Sequence, residues 1–281
     1  MAAQFVLPGK VYLVGAGPGS ANLLTLRAVE LLRAADVVFH DDLVSAEVLA
    51  LIPARTAVYN VGKRCGFKRT TQEEIQRQMI AAAQTGQTAV RLKGDDPLIF
   101  GRTGEEIRAL RENGIQFEIV PGITAASAAA AVAQIPLTDR DCASKLVILT
   151  NHPSPERDSR DWHRSISQDA TLVFYMPGGD FAPLREELQQ SGVSLDTPCL
   201  LVSRATLADQ TALRTSLRWL AETRRIPAPA VLIVGAAVAG AEAKEWASAI
   251  SSQQNRFENQ PREISLVLEE FQELDANALA L

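Results

Sequence analysis

Short apolar runs that end in glycine or in charged residues alternate with amphipathic stretches through the first 120 residues. The apolar runs start at Lys10, Asp36, Thr56, Thr88 and Phe117, and stretches with helical spacing follow most of them. Alternating strands and helices are typical of a parallel sheet covered by helices. The pattern therefore predicts an α/β fold, in which polar groups at the strand ends gather along one edge of the sheet.

One segment, VRLKGDDPLIFGRTGEE at residues 90–106, combines a strand end, a turn, an apolar loop and a helix start. Gly94 is predicted to let the backbone approach a ligand, and Pro97 disfavours helix in the residue before it. Thr103, with Glu106 three residues later, is a predicted capping box. Because α/β proteins bind small molecules in such loops, this is the first candidate site. An ordinary polar loop is the alternative interpretation of the same spacing.

The first strand runs directly into GAGPG at residues 15–19. Gly15 and Gly17 fit the start of a dinucleotide-binding fingerprint, but its third glycine is replaced by Ser20. Pro18 lacks an N–H group, so it is predicted to form an apolar wall rather than part of a phosphate cradle. These departures disfavour a nucleotide-binding oxidoreductase, which remains an alternative.

The pair Pro121-Gly122 is predicted to separate two domains, residues 1–120 and 121–240. Residues 241–281 lack the strand pattern and are predicted to be a partly disordered appendage. The predicted elements of the second domain are helix 124–133, strands 145–150 and 171–176, helix 181–190, strand 198–202, helix 213–223 and strand 229–234.

Composition excludes several classes of protein. The net charge of −5 argues against a general nucleic-acid binder. The three cysteines are scattered, which predicts neither a disulfide framework nor a metal site. The N-terminal residues lack a leader pattern, and no apolar stretch is long enough to span a bilayer. We therefore expect a cytoplasmic protein with neither a nucleic-acid nor a membrane partner.

A series of strings, in this order and spacing, resembles the tetrapyrrole methyltransferase family over residues 9–240. The strings are VYLVGAGPGSANLLTLRAVELL, HDDLVS, VGKR, VRLKGDDPLIFGRTGEE, VPGITAASAAA, IPLTDR, TLVFYM and PAVLIVG. VGKR, FGR-x-GEE, PGIT and IPLT-x-R are similar to the branch of the family that acts on uroporphyrinogen III.

This resemblance implies two α/β domains of the tetrapyrrole methyltransferase type, with the active site in the cleft between them. It further implies S-adenosyl-L-methionine as methyl donor, S-adenosyl-L-homocysteine as product, and a homodimer. The implied reaction methylates C2 and C7 of uroporphyrinogen III and gives precorrin-2 through precorrin-1. The product enters sirohaem, cobalamin or haem d1 biosynthesis.

The resemblance also implies roles for individual residues. Asp41 matches a proton acceptor, Lys63 a proton donor, and Arg102 a catalytic group that meets the tetrapyrrole. The implied substrate-binding residues are Arg64, Arg102, Glu105 and Arg140. The implied donor-binding residues are Pro18, Gly94, Asp95, Asp96, Ile99, Thr124, Ala125, Met176 and Ala205. The arginines of the substrate-binding set suit a substrate with eight carboxylates, because arginine binds carboxylates by charge-assisted hydrogen bonds.

Three acidic residues depart from the family pattern. Asp42 replaces a usual arginine, Asp95 a usual glycine and Asp139 a usual histidine. Added acid near a polyanionic substrate keeps open the alternative of a catalytically inactive binding or regulatory module. A different precorrin methyltransferase or diphthine synthase is a further alternative, which VGKR and FGRTGEE disfavour.

Overall fold

A computed structural model describes residues 9–62, 70–151, 166–223 and 225–239. These residues form two five-stranded sheets that follow one another along the chain. The predicted appendage, residues 241–281, and the candidate residues Lys63 and Arg64 lie outside the described ranges. Within those ranges, no helix is both long and apolar enough to cross a membrane.

The first sheet is entirely parallel, as the alternating pattern predicts. Its strands are β1 (Lys10–Gly15), β2 (Val37–His40), β3 (Ala57–Asn60), β4 (Ala89–Lys93) and β5 (Gln116–Val120). Their order across the sheet is β3-β2-β4-β1-β5. The helices between them are α1 (Leu26–Ala34), α2 (Ala46–Leu49), α3 (Gln72–Gln84) and α4 (Thr103–Glu112).

Helices cover both faces of this sheet because its strands are apolar on both sides. Leu13 packs in one core cluster with α3 and α4, whereas the next residue, Val14, packs in a second cluster with α1 and α2. Successive side chains of a strand point to opposite faces, so one run supplies both clusters. The Thr71 side chain caps α3, since its hydroxyl accepts a hydrogen bond from the Glu74 N–H at 3.2 Å.

The predicted capping box at Thr103 is wrong. Thr103 is the first residue of α4, and Arg102 stands at the cap position in a left-handed conformation. The Thr103 hydroxyl donates to the carbonyl of Pro97. The Glu106 carboxylate is fully buried and pairs with two basic side chains of β4 instead of reaching back to the helix start. Two charged partners in the core hold this carboxylate more strongly than a cap does.

The second sheet is mixed, with the order β6-β7-β10-β8-β9. Its strands are β6 (Lys145–Thr150), β7 (Ala170–Tyr175), β8 (Pro198–Ser203), β9 (Thr211–Ser216) and β10 (Ala230–Val234). Only β6 and β7 pair in parallel, and the other three pairings are antiparallel. Helix α5 (Ala125–Val132) precedes these strands, and α6 (Ala182–Gln190) lies between β7 and β8.

The helix predicted over residues 213–223 is wrong. Thr211–Ser216 forms strand β9, which pairs with β8 along its whole length, and a short 3-10 turn follows at Leu217–Trp219. The helical spacing of Leu213, Leu217 and Leu220 reflects a shared core cluster, which they reach through a strand and a turn. Pairing with the neighbouring strand β8 outweighs the local helical pattern.

Candidate active site

Three adjacent strands of the first sheet deliver polar residues to one edge. In register, Gly15 of β1 lies beside Lys93 of β4, and His40 of β2 lies beside Leu92. Asp41 follows β2 directly, and its carboxylate accepts a hydrogen bond from the Gly94 N–H at 3.2 Å. The carboxyl ends of parallel strands meet at the same edge, so the loops after β1, β2 and β4 form one surface.

The backbone of Asp95 is the point at which three loops meet. Its N–H donates to the Gly17 carbonyl at 2.8 Å, and the Gly17 N–H donates back at 3.2 Å. A Cβ atom on Gly15 or Gly122 would lie 2.7 Å or 2.5 Å from the Asp95 carbonyl oxygen. Glycines are therefore required at both positions for the loops to close around Asp95. Asp95 itself has φ +59°, a left-handed conformation that aspartate tolerates.

The Asp95 side chain sits in an acidic environment. Burial raises the pKa of its carboxyl to about 7, and repulsion from Asp41 and Asp96 adds to that effect. A hydrogen bond from the Ala125 N–H, at the start of α5, opposes the shift. The Asp95 carboxyl therefore binds a proton at a higher pH than an ordinary aspartate does.

Asp96 and Gly94 mainly organise the loop. The Asp96 carboxylate accepts N–H groups from Leu98 at 2.7 Å and from Gly122 at 3.2 Å, which ties the loop to the end of β5. A Cβ on Gly94 would lie 2.7 Å from the Cβ of Leu43. The glycine predicted to admit a ligand thus also admits a neighbouring loop of the protein.

Arg102 and Glu105 form a bidentate ion pair at the start of α4. Arg102 Nε lies 2.9 Å from Glu105 Oε1, and Arg102 Nη2 lies 2.8 Å from Glu105 Oε2. The pairing raises the pKa of Arg102 and lowers that of Glu105. Both side chains remain exposed beside Leu98 and Phe100, which are 57% and 41% exposed. The loop therefore presents an oriented guanidinium together with apolar surface.

Tyr175, the last residue of β7, joins the second sheet to this region. Its hydroxyl contacts the Thr124 hydroxyl and accepts a hydrogen bond from the Ala126 N–H at 2.9 Å. Its ring lies 5.4 Å from that of Phe100, tilted by 57°. Met176 follows with φ +50° and a half-exposed side chain. The start of α5 is thus held by Asp95 from one sheet and by Tyr175 from the other.

A second junction joins the GAGPG loop to the loop after β8. The Ser20 N–H donates to the Thr206 hydroxyl at 3.1 Å, and a Cβ on Gly19 would meet the Leu207 side chain at 2.7 Å. Ala205 is buried beside these contacts, and Pro18 is half-buried in the facing loop. Loops from both sheets therefore meet around residues for which the sequence implies donor binding.

The family model for Tetrapyrrole (Corrin/Porphyrin) Methylases matches residues 10–221. The chain belongs to the tetrapyrrole methylase family. Its relatives include siroheme synthase 1 of Klebsiella pneumoniae subsp. pneumoniae, 42% identical over 245 residues, which are 87% of this chain and 52% of that protein. The siroheme synthase of Hahella chejuensis is 43% identical over 241 residues, or 85% of this chain and 51% of that protein. The chain thus spans about half the length of the curated relatives it matches.

Solved structures of the family have the same fold. The uroporphyrin-III C-methyltransferase of Thermus thermophilus complexed with S-adenosyl homocysteine superimposes with a TM-score of 0.70 and 36% identity. The match covers 82% of this chain and 93% of that one. A cobalt precorrin-4 methyltransferase gives a TM-score of 0.71 at 29% identity, covering 82% of this chain and 95% of that one. The predicted fold class is confirmed.

Most of the residues implied by family resemblance lie together in this tetrapyrrole methylase. Asp41, Gly94, Asp95 and Asp96 share one edge of the first sheet. The other residues implied to bind the methyl donor lie in or beside the loops that join the two sheets: Pro18, Ile99, Thr124, Ala125, Met176 and Ala205. Arg140 lies apart, in a depression with Cys142 and Asp169. Within the part of the chain that the structure describes, Arg140 makes no hydrogen bond or ion pair with Asp41.

The sequence patterns assigned no functional role to three buried charged residues below this edge. Arg91 and Lys93 lie in the central strand β4, and Glu106 lies in α4, all nearly or fully inaccessible to solvent. The available signal was the occurrence of two basic residues in an otherwise apolar run, VRLK. Buried charges of this kind need partners, and their partners come from elsewhere in the chain.

Proposed function

We propose that this chain transfers methyl groups from S-adenosylmethionine to C2 and C7 of uroporphyrinogen III, giving precorrin-1 and then precorrin-2. The convergence of Asp95 and Tyr175 on the start of α5 carries this proposal, because it brings the donor-site loops of both sheets together. The likeness to the Thermus thermophilus enzyme over 93% of its length supports the same reaction.

The acidity of the edge fits the proposed donor. Asp41 and Asp96 repel the ionised form of Asp95, so a cation bound there would relieve that repulsion. S-adenosylmethionine carries a sulfonium and an ammonium group, and when bound it supplies an electrophilic methyl group. The residues that would hold it are Pro18, Gly94, Asp95, Asp96, Ile99, Thr124, Ala125, Met176 and Ala205.

The basic residues fit the proposed substrate. Arg102, oriented by Glu105, presents a guanidinium that can pair with substrate carboxylates. Arg140, Lys63 and Arg64 are proposed to bind further carboxylates of the same molecule. The exposed Phe100 side chain offers an apolar contact for the ring system. Binding at several points fixes the pyrrole carbon relative to the methyl group, which is the main demand of this reaction.

Proton transfer is assigned to two residues. Asp41 is proposed to accept the proton that the methylated ring loses, since its carboxylate is held at the edge by the Gly94 N–H. Lys63 is proposed to donate a proton on the substrate side. Both assignments rest on the family resemblance, and the position of Asp41 is consistent with its part.

The proposal extends to domain organisation and assembly. Residues 1–120 and 121–240 are proposed to act as two domains with the active site in the cleft between them. The chain is proposed to form a cytoplasmic homodimer, in which a second copy covers exposed apolar residues. Tyr59 of edge strand β3 is 53% exposed and is one such residue. Light scattering coupled to size-exclusion chromatography measures the assembly directly.

The reaction is tested by anaerobic incubation of the protein with uroporphyrinogen III and isotopically labelled S-adenosylmethionine, followed by mass analysis of the tetrapyrrole. We expect a gain of two labelled methyl groups. The matched control is Asp41→Asn, which should bind S-adenosylhomocysteine but transfer methyl groups far more slowly. A folded wild-type protein that binds S-adenosylhomocysteine and transfers no methyl group would refute the proposal and favour an inactive binding module.

A further inference from the structure

A buried network of charged side chains lies beneath the candidate active site. The Glu106 carboxylate, 0% exposed, accepts hydrogen bonds from Arg91 Nε at 3.1 Å and from Lys93 Nζ at 2.9 Å. Gln72 of α3 donates to the same carboxylate at 3.0 Å. One carboxylate of α4 therefore holds two cations of the central strand β4.

Arg91 connects this network to the loop after β2. Its Nη1 atom donates to the carbonyls of Phe39 at 3.3 Å and Leu92 at 3.2 Å. Its Nη2 atom lies 3.8 Å from Asp41 Oδ2. The guanidinium is thus a buried cation that touches both Glu106 and the proposed proton acceptor Asp41.

Lys93 connects the same network to the loop that carries Arg102. A Cβ on Gly101 would lie 3.1 Å from Lys93 Cε and 2.6 Å from the Pro97 carbonyl oxygen, so the loop folds tightly over the lysine stem. The Thr103 hydroxyl closes the loop on the same Pro97 carbonyl. Burial lowers the pKa of Lys93, and Arg91 lowers it further, whereas Glu106 raises it.

Stability alone is a poor explanation for this arrangement. Taking several charges out of water costs free energy that their mutual attraction often fails to recover, and apolar replacements are frequently neutral or stabilising. Here the two cations instead contact different parts of the candidate site. Arg91 contacts Asp41, and Lys93 packs against the loop before Arg102.

We propose that Glu106 is a positioning residue which, through Arg91 and Lys93, sets the Asp41 carboxylate and the Arg102 loop in one fixed geometry. This inference rests on the proposed function for the roles of Asp41 and Arg102. The coupling itself is a property of the fold, and it can be measured without turnover.

The first test is Glu106→Gln, which keeps the shape and one acceptor but removes the charge. We expect amide hydrogen exchange to speed up by about tenfold or more in two separate segments, residues 41–45 and 94–103, because each loses its fixed support. Glu118→Gln is the matched control. It removes a partly exposed carboxylate of β5 that is likewise paired with two cations, Lys10 of β1 and Arg27 of α1, and it should leave both segments unchanged. Unchanged exchange in both segments of the Glu106→Gln variant would overturn the inference.

Turnover provides the second test. We expect kcat of Glu106→Gln to fall by about tenfold to a hundredfold while the Kd of S-adenosylhomocysteine changes little, because small displacements of reacting groups are costly. Glu106→Asp should recover only part of the rate, since its shorter side chain cannot reach both cations. If the wild type is active and Glu106→Gln has the same kcat, the positioning role is contradicted. If the wild type is inactive, the proposed function is contradicted, and the hydrogen-exchange test alone then decides the positioning role.

Two further variants test the Arg91 and Lys93 connections separately, and they keep the inference testable if Glu106→Gln fails to fold. Lys93→Met keeps the apolar stem and should accelerate exchange in residues 94–103 only. Arg91→Lys keeps a charge but loses the fork, and should affect residues 41–45 more strongly. If each variant loosened both segments equally, or neither segment, the separate connections proposed here would be wrong.

Discussion

Replacing Asp95 with asparagine should stabilise the protein at pH 8 and weaken the pH dependence of its stability. Burial and the nearby carboxylates of Asp41 and Asp96 raise the pKa of Asp95 from 3.8 to about 7. Between these values the folded protein retains a proton that the unfolded chain has released. Stability contributed by this group is therefore present at low pH and is lost as the pH rises from about 4 to about 7.

The size of the effect follows from that pKa change. A shift from 3.8 to about 7 corresponds to about 4 kcal/mol at pH 8, which is an upper limit because the site is partly accessible to solvent. Asparagine removes the charge, retains an acceptor for the Ala125 N–H and tolerates the left-handed backbone at position 95. We expect a net gain of about 1–3 kcal/mol at pH 8 and little change at pH 4.

Thermal unfolding at pH 4 and pH 8 measures this difference. For a protein of this size, the expected gain corresponds to an increase in Tm of about 2–10 °C at pH 8. Asp180→Asn is a suitable control, because Asp180 is exposed just before α6 and its carboxylate accepts a hydrogen bond from the Ala182 N–H. A variant with asparagine at position 95 that is no more stable than wild type at pH 8 would refute the electrostatic reasoning.

Three other predictions concern single side chains. Arg102→Ala should greatly reduce turnover while leaving S-adenosylhomocysteine binding by calorimetry nearly intact; equal loss of both would contradict its assignment to the substrate. Tyr175→Phe should lower the free energy of unfolding by about 1 kcal/mol in denaturant titrations, because the start of α5 loses a hydrogen bond while the ring contact remains. Gly15→Ala should lower the free energy of unfolding by about 1–3 kcal/mol in the same titrations, because the added Cβ would meet the backbone of Asp95. Gly104→Ala is its control and should not destabilise the protein, because no atom lies within 4 Å of the added Cβ.

The sequence alone determined the architecture of the first sheet. Glycine or an acidic residue follows apolar runs such as KVYLV and DVVFH, and this pattern predicts where each strand ends. The carboxyl ends of parallel strands lie along one edge of the sheet. The positions of Asp41, Gly94 and Asp95 along that edge were therefore predictable. The order of the strands was not, because it depends on pairings between segments distant in sequence.

The tertiary structure alone decided which polar residues are buried and what they contact. Glu106 has the spacing of a helix cap, yet it lies in the core because Arg91 and Lys93 of β4 reach it there. Leu213 has helical spacing, yet it lies in a strand because β8 offers backbone partners along its length. Local spacing specifies which face a side chain prefers, whereas the partner that satisfies a charge or a backbone N–H comes from elsewhere in the chain.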